Sequence, residues 1–368
     1  MVGIGSTAGA FLALGMIPLA TAPRAHADVE DIFQPVIDAI AQAINVVDPG
    51  LGTSFDPGLD VGSLAEPAAA AAAVENATIP LTMHGTDPLV DISVGGGADI
   101  PVIVDTGSQG VILPWNDVGL QNLYNLFSDH LTFGTVGYGG GPSTPNIEVV
   151  YVQDPNTTID FGNGIVTNPT TVDLALFAYP TSSSNYFNLQ DWSLQAYDGS
   201  NGADGTMGIA VQPYTPGPSS PITALPGDLS EGVLINESAG YLEFGPNPLT
   251  ALGSVDGVPA TNLEVSVGGA GHIAAPVSAV VDSGGQDGTI PADILTGNPT
   301  VGQPLAPGTE IAVYESDGQL LYTYTTSAAH SPTISSDTVM NTGWAPFQAY
   351  PVYISYSPAG DGTVIFDQ

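Results

Sequence analysis

The sequence has no cysteine and almost no basic residue. Arg24 is its one Lys or Arg, against 37 Asp and Glu, which gives a formal net charge of -36. Without cysteine, disulfide scaffolds, thiolate metal sites and Cys nucleophiles are excluded. Nucleic acids and anionic membranes are bound through cations that displace counterions, and this chain has almost none. We therefore expect no nucleic-acid partner and no anionic membrane surface as a partner.

The remaining composition is that of a folded protein rich in strands. Hydrophobic residues make up 43% of the 368 residues, far more than disordered acidic chains contain. The 46 Gly and 32 Pro favour frequent turns and disfavour long helices. The composition predicts an all-β protein with a large core.

The N-terminal 27 residues have two open interpretations. An apolar stretch over residues 9–20 precedes Ala25-His26-Ala27, which has the form of a secretory signal with its cleavage site. Residues 1–7, however, lack the basic residues that such a signal carries, so an Ala/Gly-rich connecting segment is the alternative. The stretch is too short to span a bilayer, and no membrane span is predicted.

Residues 28–78 are predicted to form an amphipathic helix followed by a flexible linker. Apolar residues recur every three to four positions from Asp28 to Val47, and Asp48-Pro49-Gly50 ends the pattern. The following residues are rich in Pro and Gly and contain the run Ala68 to Ala73. The protein is thus expected to carry a helical and flexible N-terminal extension.

A β pattern begins near Leu89 and continues to the C-terminus. Apolar Val90, Ile92 and Val94 alternate with polar residues, as in a half-buried strand. Two further apolar runs, over residues 311–314 and 320–324, flank Asp317-Gly318. Asp-Gly favours the positive φ values of a tight hairpin turn, so these runs are predicted to pair.

The most informative feature is an internal repeat that carries two aspartates. Val104-Asp105-Thr106-Gly107-Ser108-Gln109 is matched by Val281-Asp282-Ser283-Gly284-Gly285-Gln286, with the aspartates 177 residues apart. In both copies an upstream segment ends in two glycines, as Ile92-Ser93-Val94-Gly95-Gly96 and Val265-Ser266-Val267-Gly268-Gly269. A duplicated unit of two strands and an acidic loop indicates a lobe that occurs twice.

Two such loops predict a catalytic pair of carboxyl groups at a pseudo-twofold axis. Asp105 and Asp282 would share one proton, because two carboxyl groups about 3 Å apart cannot both ionise. One would activate a water while the other polarises a peptide carbonyl. The supporting residues would be Thr106, Ser283 and Ser108 as hydrogen-bond partners and Gly107 and Gly284 for close backbone approach. A purely structural pair of turns is the alternative.

Other chemistry finds little support in the sequence. The histidines His26, His84, His130, His272 and His330 are scattered, with no pair on one helical face, so neither a metal site nor a cofactor is predicted. The Gly-x-Ser-x-Gly motif of α/β-hydrolases is also absent.

With these motifs, the sequence resembles the pepsin-like aspartic proteases. The resemblance implies a bilobal all-β fold with pseudo-twofold symmetry, with lobes at residues 79–240 and 241–368. It implies a flap at Gly137–Gly141, in which Tyr138 and Gly139 would contact substrate. It also implies that residues 204–209 form a strand that crosses behind the first catalytic loop, and that the partners are polypeptides.

Several segments are similar, more specifically, to the C-terminal domains of mycobacterial PE-family proteins. These segments are residues 225–229, 232–237, 244–248 and 353–358. The resemblance covers about residues 80–368 and implies an exported protein, secreted by a type VII system or held at the cell surface. It further implies an aspartic endopeptidase that processes PE-family surface proteins and itself.

The sequence departs from the pepsin pattern around the second aspartate. Gly285 stands where a hydroxyl residue would orient Asp282, and the second crossing segment, Val339–Gly343, is unusually polar. Asp282 is therefore expected to have one hydrogen bond fewer than Asp105. These departures motivate an alternative function, a surface binding module that keeps the protease fold with weak or no activity.

Overall fold

A computed structural model describes residues 76–119, 132–138, 147–180, 194, 198–212, 218–269 and 274–368. Residues 70–368 form one compact unit. The segment 1–27 and nearly all of the helix and linker predicted over 28–78 lie outside the described residues, so those predictions stay open. In the part of the chain that is described, no helix is long and apolar enough to cross a membrane.

The described residues are built mainly from short strands. The first part of the chain contains β1 (Ala77–Pro80), β2 (Thr82–His84), β3 (Asp87–Val94), β4 (Ile100–Asp105), β5 (Gln109–Pro114), β6 (Thr132–Tyr138), β7 (Ile147–Thr157), β8 (Ile159–Asp160), β9 (Thr170–Pro180) and β10 (Gly205–Ile209). The second part contains β11 (Gly232–Asn236), β12 (Tyr241–Phe244), β13 (Ala251–Asp256), β14 (Ala260–Val267), β15 (Ala275–Val280), β16 (Thr289–Pro291), β17 (Glu310–Tyr314), β18 (Leu320–Thr325), β19 (Thr333–Ser335), β20 (Val339–Asn341), β21 (Val352–Ser355) and β22 (Thr363–Asp367). Helical structure includes α1 (Ala345–Ala349) and 3-10 turns at Trp115–Asp117, Gly199–Asn201, Pro221–Ala224, Gly227–Ser230 and Ala292–Ile294.

The β-rich composition and the local turn signals explain these elements. In β3 the polar Asp91 is exposed while Ile92 and Val94 are buried, as the alternating pattern predicts. The hairpin predicted around Asp317-Gly318 is confirmed, since β17 and β18 pair antiparallel and Gly318 has a φ of 90°. Turn chemistry and strand periodicity thus agree with the fold.

Within the described residues the strands form three sheets. The N-lobe sheet has the order β2-β3-β4-β10-β5-β9-β7-β6, with β8 attached to β3. The C-lobe sheet has the order β18-β17-β14-β15-β20-β16-β19. The bridging sheet, β1-β12-β11-β21-β22-β13, takes strands from both sides of residue 240. The boundary between the lobes therefore stays a prediction.

The internal repeat is visible in the strand pairing. In the N-lobe sheet β10 lies between β4 and β5, parallel to β4 and antiparallel to β5. In the C-lobe sheet β20 lies between β15 and β16, parallel to β15 and antiparallel to β16. The predicted crossing strands are thus β10 and β20, and we use that name for both below. This repetition confirms the predicted two-lobed, pseudo-symmetric all-β fold.

Buried apolar residues pack next to the two acidic loops in both copies of the repeat. Val104 and Met207 are fully buried in the N-lobe sheet, and Val281 and Met340 are buried to the same degree in the second copy. Burial of each such side chain stabilises the fold by roughly 1.5–3 kcal/mol. Each aspartate therefore follows directly on a packed strand segment, which limits its movement.

Candidate active site

The two repeated loops bring their aspartates together. Asp105 is the last residue of β4, and Asp282 lies just beyond the end of β15. A Cβ atom on Gly107 would lie 2.6 Å from Asp282 Oδ1, and one on Gly284 would lie 3.1 Å from Asp105 Oδ1. A side chain at 107 would therefore overlap the carboxyl group of Asp282, and one at 284 would crowd that of Asp105.

Thr106 and Ser283 join the loops through reciprocal hydrogen bonds, as the sequence predicts. Thr106 N donates to Ser283 Oγ at 3.0 Å, and Ser283 N donates to Thr106 Oγ1 at 2.9 Å. Thr106 Oγ1 donates to Val281 O at 2.7 Å, and Ser283 Oγ donates to Val104 O at 2.6 Å. Both residues are fully buried, so these bonds are shielded from water.

Asp105 is oriented by donors from its own loop. Gly107 N donates to Asp105 Oδ1 at 2.7 Å, and Ser108 Oγ donates to Asp105 Oδ2 at 2.5 Å. Asp282 receives the equivalent backbone bond, from Gly284 N to Oδ1 at 3.0 Å. Gly285 has no side chain to supply the equivalent of Ser108.

The expectation that Asp282 has one hydrogen bond fewer is wrong. Asn341, the last residue of the crossing strand β20, donates from Nδ2 to Asp282 Oδ2 at 2.6 Å. Gly343 N donates to Asn341 Oδ1 at 2.8 Å, which sets the orientation of the amide. The polar character of Val339–Gly343 thus has a structural cause, since it supplies the donor that Gly285 lacks.

The electrostatics of the pair favour a proton on Asp282. Burial raises the pKa of Asp282 well above its ordinary value, and the charge of Asp105 and a carboxyl–carboxyl hydrogen bond raise it further. The hydrogen bonds from Asn341 and Gly284 oppose this by lowering the pKa of Asp282, because they stabilise its ionised form. The net effect is a raised pKa, which favours the protonated form of Asp282 beside Asp105.

Tyr138 is the last residue of β6, which pairs antiparallel with β7. Its half-buried ring packs against the apolar cluster that includes Ile112 and Ile147. Burial raises the pKa of Tyr138, and the charges of Asp198 and Asp105 act in the same direction, while a hydrogen bond with Thr206 lowers it. The charge of Asp105 thus acts on the Tyr138 hydroxyl group, whereas Gly139 lies outside the described residues.

No group of three or more His, Asp or Glu is placed to hold a metal ion in the described ranges. Asp105 and Asp282 lie near enough for each to act on the protonation of the other. The arrangement is therefore suited to acid–base chemistry on a water molecule.

The geometry agrees with a comparison of the sequence with known protein families. The family described as the PE-PGRS C-terminal aspartyl peptidase-like domain matches residues 77–364, which is most of the chain. The chain belongs to this family. The match includes both acidic loops, both crossing strands and Asn341.

Curated relatives are similar to this chain over most of its length. PE cleavage protein A of Mycobacterium tuberculosis (strain CDC 1551 / Oshkosh) is 43% identical over 304 residues, which cover 79% of this chain and 51% of the relative. PE cleavage protein A of Mycobacterium marinum (strain ATCC BAA-535 / M) is 39% identical and is covered to 52%. The chain spans about half the length of the curated relatives it matches.

A solved structure is also similar to this chain. It is an aspartic proteinase from Irpex lacteus, matched with a TM-score of 0.45 and 12% sequence identity over 80% of this chain and 97% of that chain.

Sequence reasoning about this aspartyl peptidase-like domain missed a set of buried carboxyl groups. Burial raises the pKa of Asp87 to about 7, and the charges of Asp105 and Asp287 add to the effect. Burial likewise raises the pKa of Asp198 to about 8. Asp198 is fully buried and accepts a long hydrogen bond of 3.5 Å from Thr206 Oγ1. In a chain with 37 acids, no local pattern marks which of them are buried.

A contact between the two halves of the chain was also missed. Gln286, directly after the second acidic loop, has a φ of 50° and donates from Nε2 to Asn201 Oδ1 at 3.2 Å. Its repeat partner Gln109 donates instead to Ala210 O and Val211 O, at 3.2 and 3.0 Å. The repeated glutamine in the sequence could have drawn attention to this position. It does not predict the partners, which differ between the two copies.

Proposed function

We propose that this family member is an aspartic endopeptidase in which Asp105 and Asp282 form the catalytic dyad. The observation that carries the proposal is the meeting of two repeated loops, where the carboxyl group of each aspartate lies against the glycine of the other loop. Thr106 and Ser283 hold the loops together, and Gly107 and Gly284 allow the close approach. Ser108 orients Asp105.

The reaction needs one ionised and one protonated carboxyl group. Asp105 takes a proton from a water molecule, and the water oxygen bonds to the carbonyl carbon of the substrate. Asp282 gives its proton to the carbonyl oxygen, so a neutral tetrahedral diol forms. Asp105 then passes its proton to the amide nitrogen, and Asp282 takes one back from the diol as the carbon–nitrogen bond breaks.

The substrate is a polypeptide bound in an extended form. Strand β6 lies at the edge of the N-lobe sheet, and an extended peptide can pair with the backbone of such an edge strand. In this proposal Tyr138 and Gly139 lie on the flap that covers the substrate. Two observations support this placement: Tyr138 ends β6, and the charge of Asp105 acts on its hydroxyl group.

The dyad is tested by two isosteric variants, Asp105→Asn and Asp282→Asn. Each removes one acid–base group while keeping its shape, so kcat on a PE-family protein substrate should fall by roughly 10²- to 10⁴-fold. Asp91→Asn, at an exposed position of β3, is the matched control and should keep wild-type activity. Unchanged cleavage in both dyad variants would reject the endopeptidase proposal. A wild-type protein that binds the substrate without cutting it would support the binding-module alternative.

We propose PE-family exported proteins as the substrates, because the curated relatives are named PE cleavage proteins. The accompanying proposal is that the protein is secreted or held at the cell surface, exported by a type VII system. Fractionation of a mycobacterial host that expresses the full chain tests the location. Recovery of the protein in the cytoplasm alone would refute it.

Processing of the chain itself within residues 28–78 is part of the same proposal. Mass spectrometry of the mature N-terminus, in wild type and in Asp105→Asn, tests it. A shorter N-terminus in the wild type alone would indicate self-cleavage. The same N-terminus in both proteins would exclude it.

A further inference from the structure

Asn341 occupies a special position in the second copy of the repeat. In the crossing strand β10, Thr206 is opposite Ile103, which lies two residues before Asp105. In the crossing strand β20, Asn341 is opposite Val280, which lies two residues before Asp282. Thr206 and Asn341 are therefore equivalent positions in the two lobes.

These equivalent positions do different things. Thr206 hydrogen-bonds with Tyr138 and Asp198, while the donor for Asp105 is Ser108 in the loop. In the second lobe the loop position is Gly285, and the donor for Asp282 is Asn341 in the strand. Oδ2 of each aspartate thus accepts a side-chain hydrogen bond. The donor is in the loop for Asp105 and in the crossing strand for Asp282.

The space beside Asp282 cannot hold both the Asn341 amide and a side chain at position 285. A Cβ atom on Gly285 would overlap Asn341 Oδ1 and would lie 2.9 Å from both Asn341 Nδ2 and Asp282 Oδ2. Real Cβ atoms essentially never come this close to other atoms. A serine at 285 and an asparagine at 341 therefore compete for one space beside Asp282.

We propose that Asn341 is the positioning residue for Asp282, and that Gly285 is present because it leaves room for the Asn341 amide. This inference rests on the proposed function of the dyad. The amide is held in place from its other end by Gly343 N. Its backbone is fixed as well, because Asn341 N donates to Thr289 Oγ1 at 3.3 Å.

An amide donor differs from a hydroxyl in a way that bears on the proton of the dyad. The Asn341 nitrogen can only donate, whereas a serine hydroxyl can donate or accept. Asp282 Oδ2 must therefore act as an acceptor while this bond is present. Asp282 Oδ1 accepts from the Gly284 amide, so both bonds favour the ionised form of Asp282.

The test compares Asn341→Ala with the double variant Gly285→Ser/Asn341→Ala. The single variant removes the donor, and kcat should fall roughly tenfold to hundredfold with KM changed less than about threefold. It should also move the basic limb of the pH–rate profile to higher pH, because the bond from Asn341 lowers the pKa of Asp282. The double variant places a hydroxyl donor in the space that the Asn341 amide leaves. It should restore most of the lost kcat and return the basic limb towards its wild-type pH.

The controls separate positioning from general damage. Asn262→Ala, at an exposed position of the same sheet, should leave kcat and the pH profile unchanged. Gly285→Ser alone should lower activity, since the new side chain collides with Asn341. If Asn341→Ala does not fold, Asn341→Leu takes its place, because it has a similar size and has no donor.

A second readout does not depend on activity. Carbon NMR of labelled aspartate carboxyl groups, with Asp282→Asn to assign the signal, should show a higher pKa of Asp282 in Asn341→Ala and a return in the double variant. An unchanged pKa and an unchanged kcat in a folded Asn341 variant would overturn the inference. If the wild type cleaves no substrate, the proposed function fails, and the NMR result alone then decides the role of Asn341.

Discussion

The two acidic loops have the same backbone design but different side-chain partners. Thr106 and Ser283 make matching hydrogen bonds across the axis. Beyond them the symmetry breaks, since Ser108 serves Asp105 from within its loop and Asn341 serves Asp282 from a neighbouring strand. The comparison teaches that the fold fixes where a donor is needed, while either of two elements can supply it.

The largest expected effect comes from breaking the part that the loops share. Ser283→Ala removes the donor to Val104 O and the acceptor for Thr106 N, and leaves both groups buried without that partner. We expect the free energy of unfolding to fall by about 2–4 kcal/mol, measured by urea denaturation. Thr106→Val should cost a similar amount, and the double variant should cost less than the sum, because the same network is lost. Ser335→Ala, at the end of β19, loses only hydrogen bonds with exposed Asp337 and is the control; equal losses in Ser283→Ala and Ser335→Ala would contradict the prediction.

The second prediction concerns the buried acid Asp198, which lies in the part of the chain that carries the first acidic loop. The pKa of Asp198 is raised by burial to about 8, so folded protein binds more protons than unfolded protein between about pH 4 and pH 8. Stability should therefore rise as the pH falls through this range, by on the order of 1 kcal/mol per pH unit from this group.

Asp198→Asn removes this titration while keeping the shape of the protonated acid. Urea unfolding at about pH 5 and about pH 7.5 should show a smaller gain on acidification in the variant than in the wild type. Asp91→Asn, an exposed change in β3, should leave the gain as it is. A wild-type protein that is less stable at about pH 5 than at about pH 7.5 would disprove the prediction.

The third prediction sharpens the contrast between the two donors. Ser108→Ala removes the hydroxyl that orients Asp105, and kcat should fall roughly tenfold, the cost of one hydrogen bond to a charged group. Ser108→Thr keeps the hydroxyl and should retain more activity than Ser108→Ala. Steady-state kinetics on the same substrate measure both, and equal activity in wild type and Ser108→Ala would show that Asp105 needs no such donor.

The smallest effects are expected at the repeated glutamines. Gln109→Ala loses two hydrogen bonds to backbone oxygens and should lower the free energy of unfolding by about 1–2 kcal/mol. Gln286→Ala loses one bond, to Asn201, and should cost about 0.5–1 kcal/mol. Because Gln286 has a positive φ, Gln286→Gly relieves backbone strain and should be more stable than Gln286→Ala. A larger loss at Gln286 than at Gln109 would reverse this ranking.

Much of the fold could be predicted from sequence because the repeat is local and dense. Val104–Gln109 and Val281–Gln286 each carry the strand end, the aspartate and the glycine in one short segment. The two-lobed fold and the pairing of Thr106 with Ser283 follow from that duplication. The roles of Asp105 and Asp282 in catalysis stay predictions until the variants are measured.

The parts that could not be predicted depend on contacts between distant segments. Asn341 is 59 residues from Asp282, and only the register of β20 beside β15 places its amide at the carboxyl group. The sequence showed the missing hydroxyl at Gly285 and the polar crossing segment as two separate departures. The structure shows that one compensates for the other.

The shared space beside Asp282 also has an evolutionary consequence. A chain with glycine at 285 and asparagine at 341 cannot move to the serine arrangement in one step without either a collision or a missing donor. Related chains should therefore fall into two groups, one with a hydroxyl in the loop and one with an amide in the strand. Few should carry both, and the identity of these two residues together marks the lineage to which a protease of this kind belongs.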